Sequence, residues 1–236
     1  MSPKPSPRLP KPRGAERETL DARTRLILTG EVVFAETGIH GASMREIAAK
    51  AGSGNHFAVQ YHFGTREGLV DAIFNYRMGQ MEPVRGRMLA AAEAAGRLKD
   101  ARSLINMVML PQLELEDAEG NHSYARFLSQ YLLDIRSTEF GDFGGPLPPN
   151  LARTLALLRA RLDYLPGAVA QRRLISASLM FLNILVRHHG LVRDHKSSES
   201  FGAALEDTME QIVVGICMPL RLEKTPAALG RDPKSR

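Results

Sequence analysis

Residues 43–69 read SMREIAAKAGSGNHFAVQYHFGTREGL, and this stretch decides the fold. Ser43 stands three residues before Glu46, the spacing of a capping box that opens a helix. Ile47 and Ala48 supply that helix with an inward face. Gly52 and Gly54 permit turn geometries that side chains disfavour, and Asn55 is the expected N-cap of a second helix. At about 100° per residue, Val59 and Phe63 of the second helix turn inward. Phe57 and Tyr61 point the opposite way, flanked by Gln60, with His56 in the first turn. Thr65 then caps a third helix beginning REGLVDAIF. Two short helices, a tight turn and a second helix with separate packing and outward faces make a helix-turn-helix.

Working outward, the same helical period continues in both directions. Upstream, ARTRLILTGEVVFAETG (22–38) places Ile27, Gly30, Val33 and Phe34 on one side, and Gly38 suits a stop. Downstream, the chain divides at Pro111, at AEGNH, at FGDFGGPLPPN, at LPGA and at RDHKSS, giving five or six further helices. No alternating strand pattern bounded by hairpin turns is present. The expected fold is therefore all-α. It comprises a Pro-rich basic arm (1–16), a three-helix unit (17–66), a larger helical body (67–220) and a flexible tail (221–236).

The composition, 44% hydrophobic and 24% charged, is that of a globular chain. No uninterrupted apolar run reaches the roughly 18 residues of a spanning helix, and the N-terminus lacks the apolar core of a secretory signal. The single Cys217 forms no internal disulfide, so a cytoplasmic protein with no membrane partner is expected. Residues 1–66 carry 10 Lys/Arg against 6 Asp/Glu, whereas residues 67–220 carry 16 against 18. That asymmetry points the N-terminal part toward a polyanion.

The outward face of the second helix fits that partner. Glutamine and asparagine bond bidentately to adenine, and apolar groups touch the thymine methyl in the major groove. Phe57 either faces the groove or fills space beside the turn. Tyr61, His62 and Arg66 are placed to reach phosphates, as are Ser43 and the start of its helix from the other side.

The elements Phe34, Gly38, Ser43, the REIA of 45–48, the AG of 51–52, the YHF of 61–63 and the TREGL of 65–69 together resemble the DNA-binding domain of the TetR family of transcriptional regulators. The resemblance covers roughly residues 20–75. It implies nine helices, dimerisation through the last two, binding to an operator palindrome, and release when a small molecule enters the C-terminal domain. The family usually has seven residues between the AG and the aromatic-His-aromatic signature. This chain has eight, Ser53 to Gln60, and its turn lacks the usual apolar anchor. Counting back from Tyr61, the resemblance gives Asn55 the family's cap position and gives His56, Gln60 and Tyr61 positions that commonly touch DNA. With the residues read above, the candidates for double-stranded DNA are Ser43, Arg45, Asn55, His56, Phe57, Gln60, Tyr61, His62 and Arg66.

The resemblance further implies an effector site among the middle helices, with Met107, Phe127, Tyr131, Phe181 and Asn183 as candidates. Tyr131 and Asn183 would supply the polar contacts in an otherwise apolar pocket, and Asp134, one turn on, reads as a solvated acid. Residues 174–186 are apolar almost all round, and ALEDTMEQIVVGICM has a broad apolar side. A homodimer joined through these two helices is expected, since twofold symmetry suits two half-sites. The competing readings are a helical enzyme or metal-binding protein built on His188, His189 and His195, and a DNA-binding protein without a ligand. No nucleophile elbow, HExxH, P-loop or dinucleotide fingerprint is present, so neither an enzyme nor a cofactor or metal requirement is expected.

Overall fold

A computed structural model describes residues 20–117, 120–134 and 145–220. The expected basic arm and C-terminal tail lie outside them. Among the described residues the chain is helical and contains no strand.

The N-terminal unit starts with α1 (Ala22–Thr37), whose first turn is fixed by the Asp21 carboxylate accepting from the Thr24 N–H at 3.0 Å. The helix stops at Gly38, which has a φ of 78°. α2 (Met44–Lys50) is capped by Ser43, whose hydroxyl accepts from the Glu46 N–H at 3.4 Å. The Glu46 side chain pairs with Lys50 at 2.9 Å, one turn on. α3 (Ala58–Phe63) is short, and α4 (Arg66–Ala94) is long, about 43 Å at 1.5 Å per residue. Leu26, Ile27, Val33 and Phe34 of α1, Ile47 and Ala48 of α2, Ala58 and Val59 of α3, and Leu69 and Ile73 of α4 close over one another as the core. The join between α3 and α4 admits no side chain at Gly68, because a Cβ there would stand 2.1 Å from the Phe63 carbonyl oxygen.

At the expected division, residue 66, a single long helix begins. The first turns of α4 pack in the N-terminal unit, and its remainder forms a wall of the C-terminal body. α4 runs through Pro83, whose ring removes the N–H that would bond the Gly79 carbonyl. The first break after it also differs from the expected one at Pro111. The chain leaves α4 at Gly96, with φ 66°, and Asp100 caps α5 (Ala101–Met109). Pro111 instead opens a 3-10 segment, Leu110–Leu115, where a missing donor is tolerated.

α6 (Ser123–Leu133), α7 (Pro149–Arg161), α8 (Gly167–Arg193) and α9 (Phe201–Cys217) complete the body. α8 contains one π turn, Ile184–His188. By length and composition α8 would suffice to cross a membrane, with a mean hydropathy of 1.3. It is used here as a core helix, with Leu174, Ala177, Phe181, Leu182 and Leu185 buried. Its other side and the end of α9 leave Met180, Leu191, Val214 and Met218 exposed.

An aromatic cluster and a buried ion pair are among the contacts that join the unit to the body. Phe34 of α1 stacks on Phe127 of α6 with ring centroids 6.1 Å apart, and Phe74 of α4 meets Phe127 at 5.1 Å and Tyr131 at 4.7 Å. Beside them Glu31 of α1, fully buried, accepts from Arg77 Nε at 2.6 Å and Nη2 at 2.7 Å. The Ser123 hydroxyl at the start of α6 donates to the same carboxylate at 2.5 Å.

Candidate functional site

The turn between α2 and α3 is knit by polar side chains in place of an apolar anchor. Ser53 Oγ accepts from the Asn55 N–H and donates to the Asn55 carbonyl, both at 3.2 Å. Asn55 Oδ1 accepts from the Phe57 N–H at 2.9 Å. Of the two turn glycines only Gly52 takes a positive φ, 72°. Asn55 is therefore not the N-cap expected of it. It opens a separate turn over His56 and Phe57, and regular α3 begins three residues later, at Ala58.

α3 then presents two distinct sides. Ala58 and Val59 are buried and Phe63 is packed against the core, with the Arg23 guanidinium 5.1 Å over the Phe63 ring. On the other side His56 and Gln60 are exposed, Phe57 is 60% exposed and Tyr61 is 80% exposed. Phe57 does not fill the space beside the turn. Its ring stands outside, with the Arg45 guanidinium of α2 6.0 Å above it. The structure thus brings Arg45, Phe57, Gln60 and Tyr61 onto one outward surface, with Ser43 exposed at the start of α2 and His62 half-buried at its edge. His62 meets the Tyr61 ring edge-on at 5.0 Å.

Arg66 departs from the expected phosphate-facing role. Its Nη1 donates to the carbonyls of Ile39 and of Ala42, the latter at 2.8 Å. Those carbonyls belong to the connection between α1 and α2, so Arg66 ties the start of α4 to that connection and is turned away from the outward surface. Asp134, expected as a solvated acid, lies 2.6 Å from His40 Nε2 and links the end of α6 to the same connection.

Inside the body lies a cavity of about 40 Å³ walled by Met78, Met81, Leu128 and Leu155. None of the five sequence-derived effector residues is among its lining side chains. Phe127 and Tyr131 belong to the aromatic junction instead. Met107 contributes its carbonyl to Arg85, Phe181 is buried in the core, and Asn183 is exposed. The polar residues of the wall are Arg85, Gln112, Tyr124 and Ser178. Burial draws the Arg85 guanidinium below its ordinary pKa, against the opposing pull of Glu82. Burial likewise raises Tyr124, so its hydroxyl stays protonated. A larger concavity of about 790 Å³ is an open furrow along Leu28, Thr29, Val32 and Lys50, and it includes no residue of α3.

The residues the sequence reading missed carry one signal. Glu31 shares the face of Ile27 and Phe34, and Arg85 shares that of Met78, Met81 and Leu89. A charge on an apolar helical stripe is a buried charge in waiting.

The C-terminal histidines form a pair with a residue not foreseen. His122 Nε2 and His189 Nδ1 are 2.8 Å apart, and His189 stacks on Phe201 at 4.7 Å. His188 faces Glu199 at 3.8 Å, and His195 lies past the last turn of α8 with φ 55°. Among the described residues no three His, Cys, Asp or Glu side chains converge as a metal site would require.

Residues 26–73 match the family described as bacterial regulatory proteins, tetR family. No curated protein matches the chain. Among solved structures it is similar to the transcriptional regulator FadR from Bacillus subtilis in complex with stearoyl-CoA, with 18% identity, 82% of this chain and 98% of that chain covered, and a TM-score of 0.46. It is also similar to the TetR family transcriptional regulator PfmR from Thermus thermophilus, with 17% identity, 86% and 98% covered, and a TM-score of 0.41. Both are low overall superpositions, so the assignment rests on residues 26–73.

Proposed function

From the match of residues 26–73 to the tetR family of bacterial regulatory proteins, we propose that this chain is a TetR-family transcriptional regulator, a cytoplasmic homodimeric repressor released from a palindromic operator by a small, largely apolar molecule. The observation that carries the reading is α3, where a buried Ala58–Val59 side holds an exposed face of His56, Phe57, Gln60 and Tyr61. Gln60 reads a base edge and Phe57 a thymine methyl. Tyr61, His62, Arg45 and the capped start of α2 at Ser43 hold phosphates. Asn55 acts one step back, by fixing the turn from which α3 starts.

Dimerisation through α8 and α9 is supported by Met180, Val214 and Met218, large apolar side chains left uncovered on one chain. Two copies of α3 then address half-sites about 34–36 Å apart, or a multiple of that.

The coupling route lies in α6. Tyr124 and Leu128 line the cavity, while Ser123 and Phe127 hold Glu31 and Phe34 of α1. An effector is far larger than about 40 Å³, since small-molecule pockets run to roughly 300–1,000 Å³. It therefore selects a state in which the cavity walls part and α6 shifts. Turning a population from 1:99 to 99:1 requires binding that state about 10⁴-fold more tightly. The small cavity is also the one observation that favours the competing reading of a DNA-binding protein without a ligand.

The test is fluorescence anisotropy on duplexes selected from a random pool. A dimer neutralising about six phosphates loses roughly 10³ in affinity between about 50 and 200 mM salt. The double substitution Gln60→Ala with Tyr61→Ala should abolish selective binding with the helical circular dichroism unchanged. Selective binding that survives it refutes the assignment of α3.

A further inference from the structure

The wall of the interior cavity contains a combination that apolar cores avoid. Tyr124 Oη and Gln112 Oε1 are buried with no hydrogen-bond partner among the described residues, so each is left to be satisfied by something other than the protein. The phenol offers a hydrogen and the amide oxygen seeks one. Turned about its last torsion, the Gln112 amide would donate instead. A hydroxyl group satisfies either arrangement, because it both donates and accepts. The space is also of the right scale, since about 40 Å³ takes one head group of roughly the size of water.

Charge narrows the class further. Arg85, 1% exposed, already faces a carboxylate, with Nη1 donating to Glu82 Oε2 at 3.2 Å and Nε donating to the Met107 carbonyl at 3.1 Å. The other oxygen of Glu82 accepts from the Asn150 N–H at 2.5 Å. One buried cation and one nearby anion are balanced. An anionic ligand would set two negative charges against one guanidinium, and a cationic ligand would set two positive charges against one carboxylate. Either leaves an uncompensated charge out of water.

We infer that the cavity takes an uncharged apolar molecule bearing a hydroxyl, held between Tyr124 and Gln112 with its hydrocarbon part among Met78, Met81, Leu128 and Leu155. The inference rests on the ligand-responsive reading above and names its effector class. The two methionines are the adaptable part of the wall, unbranched side chains that move aside for a chain of carbons.

The experiment is a saturation-transfer NMR titration of the full-length protein with 1-hexanol, hexanoate and hexylammonium. Hexanol should bind saturably, and the two ions at least tenfold more weakly, in line with the cost of an unpaired buried charge, about one order of magnitude or more. Tyr124→Phe and Gln112→Leu should each weaken hexanol about fivefold to tenfold, while the unliganded melting temperature stays level or rises. That rise separates a binding role from a structural one, since a structural hydroxyl would lower it when lost. Hexanoate binding as tightly as hexanol, hexanol unaffected by Tyr124→Phe, or no binding of any probe each overturns the inference. Operator anisotropy run in parallel keeps the two readings apart. Hexanol that binds without weakening operator affinity refutes the effector role, and absent operator binding refutes the regulator itself.

Discussion

Replacing Arg77 by methionine removes the cation that faces Glu31 and leaves the methylene stem in place. In the native chain the Glu31 carboxylate is fully buried, and it accepts two bonds from Arg77 at 2.6 and 2.7 Å and one from Ser123 at 2.5 Å. After the change only the Ser123 hydroxyl remains opposite a buried anion. Removing one partner of such a pair costs about 3–5 kcal/mol. For a chain of this size each 1 kcal/mol moves the melting temperature by about 2–4 °C, so the expected drop is roughly 6–20 °C. The double variant Glu31→Leu with Arg77→Met removes both charges and should lie within about 1–2 kcal/mol of the native protein. Urea unfolding followed by circular dichroism, at one fixed protein concentration as the proposed dimer requires, gives all four corners of the cycle. A single variant within about 1 kcal/mol of native, or a double variant as weak as the single one, would show that this pair is not a buried couple holding α1 to α4 and α6.

Four other substitutions test separate features. Gly68→Ala drives a methyl into the Phe63 carbonyl, at 2.1 Å, and should destabilise by about 1–3 kcal/mol with loss of operator binding; native stability would show that the α3–α4 join has room. Arg66→Gln loses the bonds to the Ile39 and Ala42 carbonyls and should lower stability while leaving the salt slope of DNA binding unchanged. A slope reduced by about one per subunit would restore Arg66 to the phosphates. Val214→Glu, at a position 64% exposed on α9, should shift sedimentation from dimer to monomer; an unchanged dimer would move the interface elsewhere. Asp100→Ala removes the cap that accepts from the Ser103 N–H at 3.0 Å and should cost about 1 kcal/mol. The Ser103 hydrogen bonds hold the Asp100 carboxyl below its usual 3.8. The charge-dependent share of this cap is therefore present above 3.8 and is lost as pH falls through the lower folded value. Native and variant stabilities that do not converge on acidification would contradict that sign.

The two sides of α3 were legible because a helix turns at a fixed angle, so the spacing of Val59 and Phe63 against Phe57 and Tyr61 already separates them. The start of α3 was not, because Asn55 satisfies an Asx turn as readily as a helix cap and only the backbone decides between them. AAAEAAGRLKD holds a stop signal in Gly96, whose φ is 66°, the same kind of signal that Gly38 gives α1. The cavity was illegible for a different reason. The apolar stripe it shares betrays the burial of Arg85, but Arg85, Gln112 and Tyr124 sit on three separate elements, and only the fold brings them to one wall. Asn183 misled in the opposite direction, since an amide within an apolar run looks like a ligand contact until α8 is seen to turn it to solvent.

Pro83 interrupts the bonding of α4 about 25 Å from its beginning, with Arg85 of the cavity wall just past it. Met78, Met81 and Arg85 of the cavity wall flank it, so Pro83 is a fulcrum beside the cavity from which a long arm reaches to α3. Tilting the long arm by about 5° sweeps its tip by about 2 Å. In a twofold assembly both tips travel, so the span between them changes by up to about 4 Å, against a half-site separation of about 34–36 Å. In the proposed regulator a small tilt at the cavity wall would in this way become a misfit across a whole turn of the double helix.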